Sequence, residues 1–224
     1  MIPRTFHQIW VGPNPLPVAA AEFTASWHRH HPGWQVRLWT DKDVPQGLLN
    51  QSIYEQTSVH AQRADILRHE LLNRFGGVYI DIDFECLKNL EPLLDGVSYF
   101  YGEELPGRPG SSILGSTPGH PFSRWCLERL PELWPWQPGR ILQETGPDFF
   151  ARAIASYVDG CSPVPHADPA SGREAVRRFA PDGRAALCAF HPWVFYPYYL
   201  GGRWVPEDHP DAYAVHHWQK NWDW

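Results

Sequence analysis

The stretch GGVYIDIDFE, residues 76–85, decides the fold of this chain. Its apolar residues predict a buried β-strand, and two aspartates, Asp81 and Asp83, stand at the carboxyl end of that strand. Charged side chains are seldom buried unless they have a partner. The two carboxylates are therefore the first candidates for a functional site.

The residues before this strand alternate between strand and helix patterns. Arg4–Gly12 and Trp34–Thr40 are predicted strands, and a helix from Val18 to His30 separates them. The segment Ser58–Gly76 has apolar residues on one helical face, with a serine that can cap its start and a glycine that can end it. The order β-α-β-α-β predicts an α/β fold with a mainly parallel sheet, in which ligands bind beyond the carboxyl ends of the strands.

The patterns continue, less regularly, in the second half of the chain. Shorter strands are predicted at Val97–Gly102 and Ser111–Ser116, and a helix at His120–Leu133. The run DFFARAIASYV, residues 148–158, predicts another helix. In the first half, Asp41 is a candidate cap for a short helix after the second strand.

Length and composition limit the classes of function. The chain has 224 residues, of which 43% are hydrophobic, so we expect a single domain spanning residues 1–224. Its formal net charge of -6 argues against a general affinity for nucleic acid or for anionic lipid. With no apolar run of about 20 residues and no signal peptide in MIPRTFHQIW, we expect a cytoplasmic protein without a transmembrane segment, at most peripheral to a membrane.

Four widely spaced cysteines indicate reduced structural thiols rather than a disulfide framework: Cys86, Cys126, Cys161 and Cys188.

Asp81 and Asp83 suit a hard divalent cation. Same-face residues of a strand are about 6.6 Å apart along its axis, so the two share one ion only if the strand ends or bends there, or if water or a ligand phosphate completes the contact. This favours Mg²⁺ or Mn²⁺ held jointly by protein and a phosphorylated ligand. The alternative is a solvated pair satisfied by backbone amides.

A second charged pair lies on the preceding helix. Asp65 and Arg68 are three residues apart, share a helical face and can form a local ion pair. Beside the acidic strand, the same two groups can also hydrogen-bond the hydroxyls of a sugar.

These residues together resemble a known family. The segment ADILRHELLNRFGGVYIDIDFECLKNL, residues 64–90, is similar to the sugar-binding segment with DXD motif of glycosyltransferase family 32, which includes fungal mannosyltransferases and bacterial capsule enzymes. The large glucosylating toxins are similar here. The opening IPRTFHQIWVGPNPLP and the closing AVHHWQKNW, residues 214–222, resemble the ends of the same family, and TGP and FYP at residues 145–147 and 195–197 resemble weaker motifs.

The resemblance implies a GT-A fold, with a Rossmann-like mixed, mainly parallel sheet flanked by helices. It implies retaining transfer of a hexose from a UDP- or GDP-linked donor to an acceptor hydroxyl, assisted by Mn²⁺ or Mg²⁺. The implied acceptor is a carbohydrate or glycoconjugate, as in polysaccharide synthesis, with a protein acceptor, as for the toxin-like relatives, as the less favoured alternative.

The family motif also implies roles for residues in the first half of the chain. Trp10 would stack on the nucleotide base, and Asp65 and Arg68 would contact the donor sugar. Asp81 would face the ribose and sugar, and Asp83 would bind the metal most directly.

At the closing motif, His217 would complete the metal site, with His216 as the rival ligand. Trp222 would lie near the diphosphate, and Lys220 would offer it a positive charge or stay solvated. Asn221 stands where the family leads us to expect serine.

Four further residues are candidates for contacts with sugars. Ser112 stands where some relatives have asparagine, and Asp148 would bind the acceptor or cap a helix. Glu103 and Glu104 would flank a sugar as a carboxylate pair, or form the solvated face of a loop.

Two other classes of protein compete with the transferase. Phosphatases of the haloacid dehalogenase type also carry DxD at a strand end, but usually continue with threonine or valine where this chain has Glu85. A sugar-binding module without catalysis would fit the twelve tryptophans, although most of these are expected to pack in the core or on the surface.

Overall fold

The computed structural model describes residues 1–137, 139–167, 174–181 and 183–219. Ten strands are found there: β1 (Thr5–Ile9), β2 (Gln35–Trp39), β3 (Gly77–Ile80), β4 (Phe84–Cys86), β5 (Tyr99–Leu105), β6 (Arg108–Ser116), β7 (Val164–Ala167), β8 (Glu174–Phe179), β9 (Leu187–Phe190) and β10 (Ala214–His216). The α-helices are α1 (Val18–His30), α2 (Gln51–Gln56), α3 (His60–Phe75), α4 (Pro121–Arg129), α5 (Ile141–Glu144), α6 (Pro147–Tyr157) and α7 (Pro192–Phe195). Among the helices described, none is long and apolar enough to cross a membrane.

Eight strands form one sheet in the order β2-β1-β3-β6-β5-β9-β8-β7. The pairings give six strands the same direction, whereas β6 and β8 run the opposite way. The predicted mixed, mainly parallel α/β sheet is therefore confirmed. The two reversed strands follow from hairpin connections, which need no helical crossover.

Helices cover both faces of this sheet. Helices α3, α4 and α6 pack on one face, where Leu67, Leu114 and Phe150 are fully buried. Helices α1 and α7 pack on the other face, where Phe6 and Phe195 are fully buried. Both faces of the central strands are thus apolar, as expected when a sheet lies between two helical layers.

The predicted elements differ from the structure at several ends. The helix at Val18–His30 is found with its predicted bounds, but α3 begins at His60 and its cap residue is Val59, so Ser58 does not cap it. The short helix expected after Asp41 is wrong, because residues 41–43 form a turn. The Asp41 side chain instead accepts a hydrogen bond of 2.8 Å from the backbone of Gly12, which joins the loops that follow β1 and β2.

Two glycines make the connection from α3 to β3 unusually tight. Gly76 and Gly77 have φ angles of 64° and 90°, which favour glycine. A Cβ on Gly77 would lie 2.6 Å from the carbonyl oxygen of Thr5, so β3 can lie this close to β1 only without a side chain there. This fixes where β3 ends, and hence where its aspartates lie.

Candidate metal centre and donor site

The chain leaves the main sheet within the DXD motif. Strand β3 ends at Ile80, although the Asp81 amide still donates a hydrogen bond of 2.9 Å to the carbonyl oxygen of Ser112 on β6. A turn follows, closed by a 3.2 Å bond from the Phe84 amide to the Asp81 carbonyl oxygen. The strand therefore ends just before Asp81 and the chain turns between the two aspartates, as sharing one ion requires.

After this turn, β4 pairs with β10 in a separate two-stranded antiparallel sheet. Phe84 lies opposite His216 in this pairing. The last residue of β10 is thereby placed against the DXD turn, although the two are more than 130 residues apart in the sequence.

Asp81, Asp83 and His216 form a compact cluster. Nε2 of His216 lies 3.1 Å from Oδ1 of Asp83 and 3.7 Å from Oδ2 of Asp81, and one ligand atom from each residue lies within 4.8 Å of the others. Adjacent ligands of an octahedral Mg²⁺ at ~2.1 Å are about 3 Å apart. The donor set of two carboxylates and one imidazole fits a divalent cation such as Mn²⁺.

Asp83 is held from several directions. Its Oδ2 accepts a 2.7 Å hydrogen bond from the Gln219 amide, and its carbonyl oxygen accepts one of 3.0 Å from the His217 amide. Between these two donors, Trp218 has a φ angle of 54°, a left-handed conformation that is costly for a residue with a side chain. These two hydrogen bonds thus fix both the position of Asp83 and the path of the chain after β10.

The contact between His216 and Asp83 shifts the pKa values of both side chains. Burial by itself lowers the pKa of His216, but the hydrogen bond and charge of Asp83, with the charges of Asp81 and Glu104, outweigh burial and raise it. Burial raises the pKa of Asp83, but His216 and the Gln219 amide outweigh burial and lower it. Without a metal, the imidazole is therefore protonated more readily than usual, and a bound cation would replace that proton.

Aromatic rings surround the imidazole. Trp218, Phe84 and Tyr196 have ring centroids 4.4, 5.1 and 5.7 Å from that of His216. Nδ1 of His216 is buried and has no hydrogen-bond partner among the described residues. The apolar walls leave Nε2, which faces the aspartates, as the ring nitrogen placed to bind an ion.

The expected metal ligand His217 lies elsewhere, which corrects the prediction. Its Nε2 is 2.9 Å from Oε2 of Glu85, and its ring stacks on Phe23 at 4.6 Å. Neighbouring residues at a strand end point to opposite sides, so only one of the two histidines can face the aspartates. The pairing of β10 with β4 gives that place to His216, the rival ligand.

Asp65 and Arg68 form the predicted ion pair, and both are buried. Arg68 also donates a 2.6 Å hydrogen bond to the Ser111 carbonyl oxygen, and its guanidinium lies 4.7 Å from the Tyr79 ring centroid. The other carboxylate oxygen of Asp65 accepts a 2.6 Å bond from the Thr145 hydroxyl. The contact of this pair with a donor sugar stays a prediction. In the structure the pair connects α3 to β6 through Ser111 and to the segment between α5 and α6 through Thr145, and we call these residues the floor of the site.

Sequence reasoning missed how Tyr79 and Thr145 support this floor. The Tyr79 hydroxyl donates a hydrogen bond to Oδ1 of Asp81, which links the acidic turn to the ring under Arg68. Thr145 belongs to the TGP motif, so the signal was present in the sequence. Its partner, Asp65, could not be identified before the helices were packed.

Trp10 follows β1 and lies beside the DXD turn. It is buried in a small cluster with Ala20 and Ile82, the middle residue of the motif. Its indole Nε1 donates a 2.7 Å hydrogen bond to the Asn14 carbonyl oxygen, which fixes the ring. The stacking of a nucleotide base on Trp10 stays a prediction, which this position supports.

The remaining sugar candidates are divided between the two sides of the sheet. Glu103 is buried and forms an ion pair with Arg177, so it does not form a carboxylate pair with Glu104. The pKa of Glu104 is raised by burial and by the nearby charges of Asp81 and Asp148. The Glu104 carboxylate itself forms an ion pair of 3.7 Å with Arg108.

Ser112 and Asp148 are placed by their backbone. Ser112 borders Asp81 through the backbone hydrogen bond between β6 and the DXD turn. Asp148 lies in the first turn of α6, where its Oδ2 accepts a 3.2 Å hydrogen bond from Gln143. Lys220 and Trp222 lie outside the described residues.

Comparison with known proteins finds similarity in the segment that carries the DXD turn. Residues 17–99, which contain α3 and the DXD turn, match the family described as glycosyltransferase sugar-binding region containing DXD motif. This segment is therefore similar to that glycosyltransferase family. The predicted resemblance is thereby confirmed.

Two curated relatives of the family come from Schizosaccharomyces pombe. Inositol phosphoceramide mannosyltransferase 1 is 32% identical over 58% of this chain and 43% of its own length. Inositol phosphoceramide mannosyltransferase 3 is 25% identical over 97% of this chain and 60% of its own length. The chain thus spans about half the length of these two relatives.

A solved structure, the PaToxG glycosyltransferase, shares the fold of this chain with a TM-score of 0.62. The similarity covers 71% of each chain at 18% sequence identity. The GT-A architecture expected from the sequence is therefore confirmed.

Proposed function

We propose that this protein is a metal-dependent glycosyltransferase that moves a hexose from a nucleotide-diphosphate sugar, UDP- or GDP-linked, to an acceptor hydroxyl. The observation that carries the proposal is the cluster of Asp81, Asp83 and His216 at the carboxyl end of β3. Ligands of open α/β sheets bind at this edge. Mn²⁺ or Mg²⁺ is the cation of the proposal.

Charge explains why a cation is needed. The carboxylates of Asp81 and Asp83 lie at the His216 imidazole, and the charge of Glu104 acts on the same ring, so an anionic diphosphate would meet like charge. A divalent cation between the carboxylates and the phosphates reverses this repulsion. When bound, it also stabilises the negative charge that develops on the departing diphosphate.

The residues of the chain position the reactants. Asp83 and His216 supply the most buried ligand groups, and Tyr79 orients the carboxylate of Asp81 through its hydroxyl. Trp10 offers a fixed indole beside the motif for the base. Arg68 and Asp65, braced by Ser111 on β6 and by Thr145 between α5 and α6, lie under the proposed place of the donor sugar.

The names of the relatives suggest which sugar and acceptor to test first. Two of them are inositol phosphoceramide mannosyltransferases, so mannose is the first donor sugar and a glycosylated lipid headgroup the first acceptor class. We propose retention of the anomeric configuration, a cytoplasmic location and a single domain on the resemblance and composition alone. Product anomers distinguish retention from inversion by nuclear magnetic resonance.

Calorimetry with a panel of UDP- and GDP-sugars, with and without Mn²⁺, tests the proposal. We expect one sugar nucleotide to bind well only when Mn²⁺ or Mg²⁺ is present, and Asp83→Asn to remove that dependence. Hydrolysis of the same compound without acceptor would exclude a non-catalytic sugar-binding module. Release of phosphate from simple phosphomonoesters would instead support the phosphatase alternative. An affinity that ignores both cations would overturn the assignment.

A further inference from the structure

A groove of about 330 Å³ lies between helix α1 and the edge of the main sheet. Ala21, Thr24 and Ala25 form part of its helix wall. Gln8 of β1 and Leu38 of the edge strand β2 form part of its sheet wall. Clefts of roughly 300 to 1,000 Å³ with mainly apolar walls and a few polar groups are typical of ligand sites. The groove has the size and the composition of such a site.

The side chain of Gln8 is buried in this wall, with only 1% of its surface exposed. Its Oε1 accepts a 2.9 Å hydrogen bond from the Thr24 hydroxyl, and its Nε2 has no partner among the described residues. If the amide is turned over, its oxygen is left without a partner instead of its nitrogen. A buried polar atom without a partner costs free energy, and a ligand in the groove can supply the partner.

The core does not need an amide at this position of β1. Alternate residues of a strand face the same side, so Gln8 shares its side with Phe6 and Trp10. Phe6 packs on the Trp27 ring with centroids 4.6 Å apart, and Trp10 packs with Ala20. An apolar side chain between these two would serve the packing of α1 better than glutamine does. The amide is therefore better explained by what the groove binds than by the fold.

The groove suits a narrow, neutral and mainly apolar ligand. Its helix wall runs from Ala20 to His28, a distance of ~12 Å at a rise of ~1.5 Å per residue. The described residues that line it include no Asp, Glu, Lys or Arg. An ionised ligand group would lose its hydration there without gaining an opposite charge. An uncharged polar group on an aliphatic chain avoids that cost.

We propose that this groove binds an aliphatic amide, with the chain along α1 and the amide group paired with Gln8. An amide carries both a carbonyl oxygen and an N–H, so it satisfies the Gln8 side chain in either orientation. Thr24 holds that side chain in place through its hydroxyl. Leu38, which is 36% exposed, marks the open side of the groove at the edge strand. The proposal does not rest on the proposed function, although Ile82 of the DXD turn is also part of the wall.

Calorimetry and ligand-observed nuclear magnetic resonance with octanamide test the proposal on the whole protein. We expect octanamide to bind, and octanoate, which has the same chain with a negative charge at neutral pH, to bind about tenfold more weakly or worse. No binding of octanamide, or equal binding of octanoate, would overturn the proposal.

N-octanoylethanolamine identifies the source of the amide, because its amide nitrogen carries a further group. Displacement of octanamide by this compound would support an N-acylated larger molecule as the ligand. Failure to displace it would support a free primary amide.

Two variants test the walls of the groove. Gln8→Leu removes the amide at similar volume, so octanamide affinity should fall about tenfold, the order expected for one lost hydrogen bond, while the urea midpoint stays at or above that of the wild type. Ala25→Trp should fill the groove and abolish binding. Val18→Trp is the matched control, since Val18 lies on the same helix, is 96% exposed and does not line the groove. Unchanged affinity in either wall variant, or an equal loss in the control, would contradict the proposed site.

Titration of Mn²⁺ into the same proteins separates this proposal from the proposed function. We expect all three variants to keep the affinity of the wild type for Mn²⁺, since the substituted residues do not belong to the cluster of Asp81, Asp83 and His216. A wild type that binds octanamide but neither Mn²⁺ nor any sugar nucleotide would sink only the proposed function. The reverse result would sink only the amide site.

Discussion

Nε2 of His216 lies 3.1 Å from Oδ1 of Asp83, although the family resemblance implied the neighbouring His217, with His216 as its rival. This contact joins the end of β10 to the DXD turn after β3. The candidate metal centre is therefore built from two segments that are distant in the sequence.

Replacing the two histidines separately distinguishes the ligand from its neighbour. His216→Ala should weaken Mn²⁺ affinity by more than about a hundredfold, since even changes behind a ligand cost about 10- to 100-fold. His217→Ala, which loses only the contact with Glu85, should stay within a few-fold of the wild type. Isothermal titration with Mn²⁺ measures both, and the reverse order would show that His217 binds the ion.

Metal affinity should fall as the pH is lowered. The pKa of His216 is raised above its ordinary value of 6.5 because Asp83 and Asp81 outweigh burial, so below that raised pKa the ion must displace a proton. We expect the affinity for Mn²⁺ to drop about tenfold for each pH unit below the pKa of His216. An affinity that stays flat from neutral to mildly acidic pH would rule out a histidine ligand.

The stability of the metal-free protein should change with pH in the opposite sense. Because the folded pKa of His216 is raised, its pairing with Asp83 contributes stability that is complete below about 6.5 and is lost as the pH rises through the folded value. His216→Gln should remove this part of the pH dependence. Urea unfolding in a chelator at several pH values measures it, and an unchanged slope in the variant would contradict the assignment.

Asp83→Asn and Asp83→Ala should differ in stability but not in metal binding. Both remove the charge that the ion needs. The alanine also leaves the Gln219 amide without its 2.7 Å acceptor, which should lower the free energy of unfolding by about 1 to 3 kcal/mol. The asparagine keeps an acceptor oxygen and should unfold closer to the wild type. Equal losses of stability would show that the Gln219 contact contributes nothing.

Thr145→Val should destabilise the fold by about 1 to 3 kcal/mol, because it leaves a buried oxygen of Asp65 without its donor. Thr40→Val is a matched control, since Thr40 makes a similar 2.6 Å bond to Asp43 in solvent. Urea unfolding of both should show a loss confined to the first. A comparable loss in the control would remove the special role of the buried contact.

Trp10→Ala should weaken nucleotide binding by about 1 to 3 kcal/mol if a base stacks on the indole. Because Trp10 is buried against Ala20 and Ile82, the variant should also unfold more easily. Trp10→Phe keeps an aromatic face and should bind nucleotide more tightly than the alanine. If the wild type and both variants bound UDP with the same affinity, and likewise GDP, the stacking role would be excluded.

The sequence predicted the parts of the site that lie within one segment. Asp65 and Arg68 share a helical face, so their ion pair follows from a spacing of three residues, and the structure contains it. Likewise, α1 is found at its predicted bounds, Val18–His30. Contacts of this kind depend on local geometry, which consecutive residues determine.

The sequence did not predict contacts between distant segments. Thr145 and Asp65 are 80 residues apart, and their bond depends on how the segment between α5 and α6 packs against α3. The short strands β4 and β10 were missed because three residues are too few to show a period.

By itself, the sequence determined an α/β order and placed two carboxylates at the end of a buried strand, because periodicity and strand ends are properties of neighbouring residues. Only the tertiary structure decided that His216 rather than His217 meets them, and that Thr145 braces the ion pair of Asp65 and Arg68 beside them. Those choices depend on strand register and helix packing, which join residues far apart in the chain and are set by the burial of the whole core.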